Sequence, residues 1–169
     1  MMRWSLILGV LALSASHVLA GVKAGDAAPD FATVDSTGKA HKLSDYKGKY
    51  VVLEWSNPGC PYVKRHYESK NMQSVIKAAT DKGAAWFTVG TGHPEVDWAK
   101  RLADTGATPT AALPDADAAV AKAFGAKTTP HMFVIGPDGK VIYDGAIDDN
   151  NEDVKAAKNY VLTALEEAM

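Results

Sequence analysis

Tyr50-Val51-Val52-Leu53-Glu54-Trp55-Ser56-Asn57-Pro58-Gly59-Cys60-Pro61-Tyr62-Val63 is the stretch on which the fold turns. Its first six residues are β-branched, aromatic or apolar apart from Glu54, the composition of a strand in the middle of a sheet. A Pro/Gly loop follows, and Pro61 opens a helical stretch that extends to about Lys82. Cys60 therefore stands where a strand hands over to a helix N-terminus. The unpaired N–H groups and positive dipole end there favour an anion, so the thiol pKa should fall below its usual value of about 8.5. Lys64 and Arg65, one turn further on, add positive charge if they face back toward the sulfur. The apolar phase slips between Tyr67 and Met72, which predicts a kink or break around Ser69-Lys70-Asn71.

Upstream, residues 31–34 and 39–43 flank Asp35-Ser36-Thr37-Gly38 and read as a hairpin, followed by a helical turn at 44–48. Downstream, residues 84–90 form the next strand. His93-Pro94-Glu95 should open a helix that ends by Gly106. Asp115 should cap a short Ala-rich helix stopped by Gly125. Residues 132–135 and 140–143 flank Gly136-Pro137-Asp138-Gly139 as a second hairpin. A closing helix is expected from about Asp153, with Val154, Ala157, Val161, Ala164 and Leu165 on one face. This order gives an α/β sandwich with parallel central strands joined by helical crossovers.

The 169 residues are 47% hydrophobic, which suits one domain with a core of its own and excludes a disordered chain. A formal charge of −2 argues against nucleic-acid binding. The single Cys excludes an internal disulfide, a dithiol pair and a thiolate-rich zinc site, so sulfur chemistry needs a second molecule. Residues 1–20 carry Arg3, an apolar run at 6–13 and Val18-Leu19-Ala20, the pattern of a cleavable signal peptide. Residues 21–169 are then one exported domain, periplasmic or secreted, with no stable membrane association; an uncleaved anchor is the alternative. In an oxidising compartment a lone Cys reads as a reactive thiol or an intermolecular pairing site, against the plainer reading of a buried inert one.

Thr128-Thr129-Pro130 precedes a strand, where Pro removes a ladder donor. A cis X-Pro bond would explain it, as would a trans Pro starting an edge strand. Together Gly25-Asp26-Ala27-Ala28-Pro29-Asp30-Phe31, the Cys60-Pro61 loop, Thr128-Thr129-Pro130 and Pro137-Asp138-Gly139-Lys140 resemble the redoxin family. This is the alkyl hydroperoxide reductase/thiol-specific antioxidant group of the thioredoxin superfamily. The resemblance implies a thioredoxin-like three-layer α/β/α sandwich with an N-terminal β-hairpin extension. It also implies that Cys60 is the active-site cysteine and that Pro130, after Thr129, is the cis-proline that packs beside it and helps hold substrate. Glu54 matches the buried acidic position of thioredoxins, where a raised pKa would let it pass protons; a solvated sheet edge is the alternative.

Two features depart from the relatives. The fourth position of a Cys-x-x-Cys motif is Val63. The Pro and Thr of the peroxiredoxin Pro-x-x-x-Thr-x-x-Cys are Leu53 and Asn57. Asn57 either donates a hydrogen bond to a peroxide oxygen or is simply a turn residue. His66 and His131 are candidates to orient a sulfur-bound proton or are structural. No His pair has metal-ligand spacing, and no cofactor is implied. The acidic run at 148–153 reads as a helix entrance rather than a calcium loop.

The expected function is thiol-dependent oxidoreduction. Cys60 reduces a peroxide through a sulfenic acid that an external thiol or partner protein resolves. The alternatives are thiol–disulfide exchange through mixed disulfides and a non-catalytic binding module of the same fold.

Overall fold

The computed structural model describes residues 21–169 apart from 151 and 155. The expected signal peptide at 1–20 lies outside the described residues. Val51–Trp55 (β3) is the middle strand of a five-stranded sheet, and all five of its residues are buried. The strand order is β5-β4-β3-β6-β7, with Ala85–Thr91 as β4, Ala111–Asp115 as β5, His131–Ile135 as β6 and Val141–Gly145 as β7. β3 pairs with β4, and β4 with β5, in parallel; β6 is antiparallel to β3 and to β7. The crossovers between parallel strands are helical, as the topology requires. The hairpin of Ala32–Val34 (β1) and Ala40–Lys42 (β2) forms a separate two-stranded sheet.

The two-residue side-chain period gives the sheet two unlike faces. Leu53, Trp55, Phe87, Val89, Phe133 and Ile135 point to one side, against Phe31 of the N-terminal segment and Val120 and Phe124 of Ala119–Phe124 (α4). Val52, Trp86, Met132 and Val134 point to the other, under Pro61–Glu68 (α1), Asn71–Asp81 (α2) and Tyr160–Ala168 (α5). Trp98–Thr105 (α3) reaches that face too. A Cβ on Gly90 would stand 1.9 Å from the Trp98 ring, so only glycine lets β4 and α3 meet this closely.

The expected break in the long helical stretch is present. α1 ends at Glu68, Lys70 takes the left-handed conformation at φ 63°, and α2 starts at Asn71. Three readings are corrected. The helix expected from His93-Pro94-Glu95 starts later, at Trp98, because Asp97 accepts the Lys100 N–H at 2.9 Å and takes the cap. The closing helix starts at Tyr160, not Asp153. Asn150 Oδ1 accepts the N–H groups of Glu152 and Asp153, and Asp149 Oδ1 that of Lys158, so these side chains hold loop backbone in place of a helix entrance. Val154 is still buried, but from the loop. The third is a strand that periodicity does not reveal: β5 is Ala-rich and holds Pro114, which the sheet tolerates because β5 is an edge strand. Asp115 does serve α4, accepting the Val120 and Ala121 N–H groups at 3.0 Å each, and Gly125 at φ 71° ends that helix.

Candidate active site

Cys60 is the N-cap of α1, with extended backbone (φ −71°, ψ 126°) and Pro61 directly inside the helix. The loop leading to it is closed locally: Asn57 Oδ1 accepts the Gly59 N–H at 2.7 Å, and the Asn57 carbonyl accepts the Cys60 N–H at 3.0 Å. Asn57 is thus occupied as an Asx-turn residue. Across from the loop, Thr129-Pro130 is a cis peptide bond just before β6. It brings the Thr129 carbonyl to 2.9 Å from Cys60 Sγ, which donates to it. The sulfur is half-buried between the helix end and this loop.

Burial pushes the Cys60 thiol up. The Thr129 side chain and the Val63 and Tyr62 N–H groups at the helix end outweigh that and hold it below its ordinary value. Thr129 therefore acts both ways, its hydroxyl favouring the thiolate and its carbonyl, an acceptor only, the thiol. The expected help from Lys64 and Arg65 is not what lowers it. Lys64 is exposed, and the Arg65 guanidinium lies 5.6 Å over the Tyr62 ring with Nη2 3.3 Å from His66 Nε2. The helix end does the work. Val63, where a second cysteine would stand, is fully buried in the apolar layer under α1.

Glu54 is fully buried. Tyr67 donates its hydroxyl to both carboxylate oxygens at 3.0 and 3.1 Å, Trp86 Nε1 donates at 3.2 Å and the Thr88 hydroxyl at 3.0 Å. Thr88 is the β4 register partner of Glu54, and Trp86 lies two residues away on the same face. Burial raises the Glu54 carboxyl above the usual range despite these donors. Its hydrogen bonds tie β3 to β4 and α1; none goes to Cys60. Burial and the neighbouring Glu54 also push the Tyr67 hydroxyl well up, which suits it as the donor. Tyr67 was not singled out in the sequence; its helical phase with Val63 is the signal that places it inward.

Neither histidine touches the sulfur. His66 Nδ1 meets Asn71 Nδ2 at 2.8 Å, and its Nε2 lies 3.7 Å from Asp148 Oδ2. Burial lowers its pKa, Asp148 opposes this and Arg65 adds to it. His131 Nδ1 accepts the Lys127 N–H at 3.2 Å, holding the backbone just ahead of the cis-proline. Among the described residues no group of His, Cys, Asp and Glu side chains is arranged to hold a metal.

A thioredoxin-like fold that presents one cysteine at a helix N-terminus against a cis-proline loop defines a thiol-dependent redox protein of the redoxin class. The chain belongs to the AhpC/TSA family, whose pattern it matches over residues 24–144. It is similar to the thiol-disulfide oxidoreductase ResA of Geobacillus thermodenitrificans, 31% identical over 136 residues that cover 79% of this chain and 75% of that protein. It is also similar to ResA of Bacillus subtilis, 29% identical over 72% of this chain and 66% of that protein. Among solved structures, a putative thiol:disulfide interchange protein DsbE from Chlorobium tepidum superposes with a TM-score of 0.65 at 25% identity, covering 88% of this chain and 96% of that one. A hypothetical protein from Sinorhizobium meliloti shares the fold with a TM-score of 0.74 at 22% identity, over 88% and 85% of the two chains. No helix among the described residues is long and apolar enough to cross a membrane.

Proposed function

We propose that this protein is an exported thiol–disulfide exchange protein that works with a single cysteine. The observation that carries this reading is the Cys60 sulfur at a helix N-terminus, in contact with the carbonyl that precedes cis-Pro130. A loop of that kind offers backbone to an extended substrate segment beside the reacting sulfur, and the named relatives are disulfide oxidoreductases. In the first step Cys60 thiolate attacks a substrate disulfide RS–SR, forming Cys60–S–S–R and releasing RS⁻. A small thiolate R′S⁻ then attacks the Cys60 sulfur and expels the second RS⁻. Another R′S⁻ attacks the outer sulfur, freeing Cys60 thiolate and giving R′S–SR′. One disulfide is reduced by two external thiols, and the enzyme returns to its starting state. Glu54 serves as a positioning residue, holding α1 on β3 through Tyr67.

Peroxide reduction, the second reading, draws support from the family match. Against it, Leu53 and Asn57 stand where the peroxiredoxin motif has its Pro and Thr, and the Asn57 side chain is held in the loop by accepting the Gly59 N–H. One experiment separates the two. Incubation with a disulfide-bonded peptide should give a Cys60 adduct by intact mass, absent in Cys60→Ser and reversed by added thiol. If dilute peroxide instead gives a dimedone-trapped sulfenic acid faster than a free thiol of equal thiolate fraction does, the protein is a peroxidase. A thiol that reacts only after denaturation removes both readings. Export is tested separately: the protein recovered from the exported fraction should begin at Gly21, and an intact Met1 would refute it.

A further inference from the structure

A cavity of about 230 Å³ opens where β3 and β4 end, between Trp55, Thr91 and the 126–129 loop, with Ala121 of α4 on its wall. Thr129 lines it too, and the Thr129 carbonyl is the group that Cys60 Sγ touches at 2.9 Å. Cavity and reacting sulfur therefore share a wall. The lining is apolar or threonine with one exception: Lys127 is its only charged residue. The polar groups around the Trp55 ring are already committed. Trp55 Nε1 donates to Thr91 Oγ1 at 3.2 Å, and the Thr91 hydroxyl donates to Asp115 Oδ2 at 2.6 Å. Asp115 is buried and also accepts the Val120 and Ala121 N–H groups, so both of its oxygens are engaged. Lys127 is different. Its N–H is fixed on His131 Nδ1, but the residue is exposed and its ammonium has no ion-pair or hydrogen-bond partner among the described residues.

The exchange reading, on which this inference rests, brings a substrate cysteine to Cys60 and its chain neighbours across the Thr129 wall. We propose that the cavity receives a side chain flanking that cysteine and that Lys127 makes it select an acidic one. The preferred substrate is then a disulfide whose cysteine stands beside Glu or Asp. A carboxylate there meets charge of one sign only, which favours it over an amide and disfavours a cation. Its methylene stem lies along the apolar surface of Trp55 and Ala126. The flexible four-carbon stem of Lys127 lets the ammonium follow the guest. The cleft on the α1 side of the same loop has Arg65 and Asp148 together on its wall, and that mixture gives no such bias. The volume falls below the range of about 300–1,000 Å³ usual for drug-sized ligands, so it suits one side chain of a longer segment.

The test uses the full protein with Cys60 reduced and short peptides whose one cysteine carries a 2-pyridyl disulfide. Cys60 thiolate attacks the peptide sulfur, and pyridine-2-thiolate leaves with the electron pair of the broken S–S bond, giving an absorbance to follow. The peptides carry Glu, Gln or Lys on both sides of the cysteine. Each rate is divided by that peptide's rate with 2-mercaptoethanol, which removes differences in the disulfide itself. The Glu peptide should react about threefold to fivefold faster than the Gln peptide, the size of a part-exposed ion pair, and the Lys peptide slowest. The Glu preference should shrink as salt is added. Lys127→Gln should bring the Glu to Gln ratio toward one, and Lys127→Glu should invert it. Lys64→Gln, which removes an exposed charge of α1 outside the cavity, should keep the ratio. If the Glu and Gln peptides react alike in the unmodified sequence, the inference is overturned, and that outcome needs no variant to fold. A preference that survives in Lys127→Gln, or vanishes equally in Lys64→Gln, overturns it as well. Failure of the exchange reading looks different: no peptide releases pyridine-2-thiolate faster from the native protein than from Cys60→Ser, and both proposals fall.

Discussion

Glu54 and Asp148 are both buried carboxylates, and they are provided for in opposite ways. Glu54 meets hydroxyl or indole donors from three residues on two elements. Asp148 has one oxygen accepting a 3.4 Å bond from the Asn150 N–H and the other accepting none. A carboxylate whose acceptor sites are filled from within the chain can do structural work but has little left to offer a ligand. One left with a buried oxygen unfilled contributes less to the fold. The difference separates a group that holds the Cys60 helix in place from one that leaves a buried oxygen short of a donor.

The strongest way to break the comparison is to remove each acid. Glu54→Ala leaves three buried donors unpaired, at about 1–3 kcal/mol each, so urea unfolding should show a loss on the order of 3–5 kcal/mol. Asp148→Asn removes a charge that has no hydrogen-bond donor on one oxygen, and the same measurement should show a change under about 1 kcal/mol, or a gain. Equal losses would dissolve the distinction. A second effect sharpens it. Because burial raises the Glu54 carboxyl, the proton favours the folded state. Its contribution is fully present below the unfolded glutamate value and is lost as pH rises through the higher native one. Stability relative to Glu54→Gln should therefore decline as pH rises from about 4, a slope that a solvated carboxylate would not give.

Smaller effects bracket these. The rate of Cys60 alkylation by iodoacetamide, followed against pH, should report a midpoint clearly below the usual thiol value of about 8.5. Thr129→Val, which deletes the hydroxyl and keeps the carbonyl, should move that midpoint up. The smallest change belongs to an exposed acid. Asp97→Ala removes the α3 cap and should lower the unfolding free energy by about 1 kcal/mol, with the alkylation midpoint unmoved.

Local chemistry made much of this legible. A Pro after Cys60, a phase slip at Ser69-Lys70-Asn71 and Gly-bearing turns act over a few residues, and α1, the Lys70 break and both hairpins stand where such signals put them. The same local rules misread 93–97 and 148–159, where several Asp and Asn side chains compete to bind backbone N–H groups. Which one wins depends on what packs behind it: Trp98 fills the space over Gly90, and Asn159 caps α5 by accepting the Leu162 N–H. β5 escaped because an edge strand needs only one partner and little β-propensity.

The sequence by itself determined the class: a strand, a loop, one cysteine and a proline-started helix, with no second cysteine to close a cycle. Only the tertiary structure decided the rest. It showed that the Thr129-Pro130 bond is cis, that Glu54 is saturated by Tyr67, Trp86 and Thr88, and that Asp148 comes to lie beside His66. The reason is range. Helix ends and turns are set by backbone groups within about a turn of each other, whereas a carboxylate's partners arrive from strands and helices tens of residues away. Nothing near Glu54 or Asp148 in the chain distinguishes the acid that is filled from the acid left short of a donor.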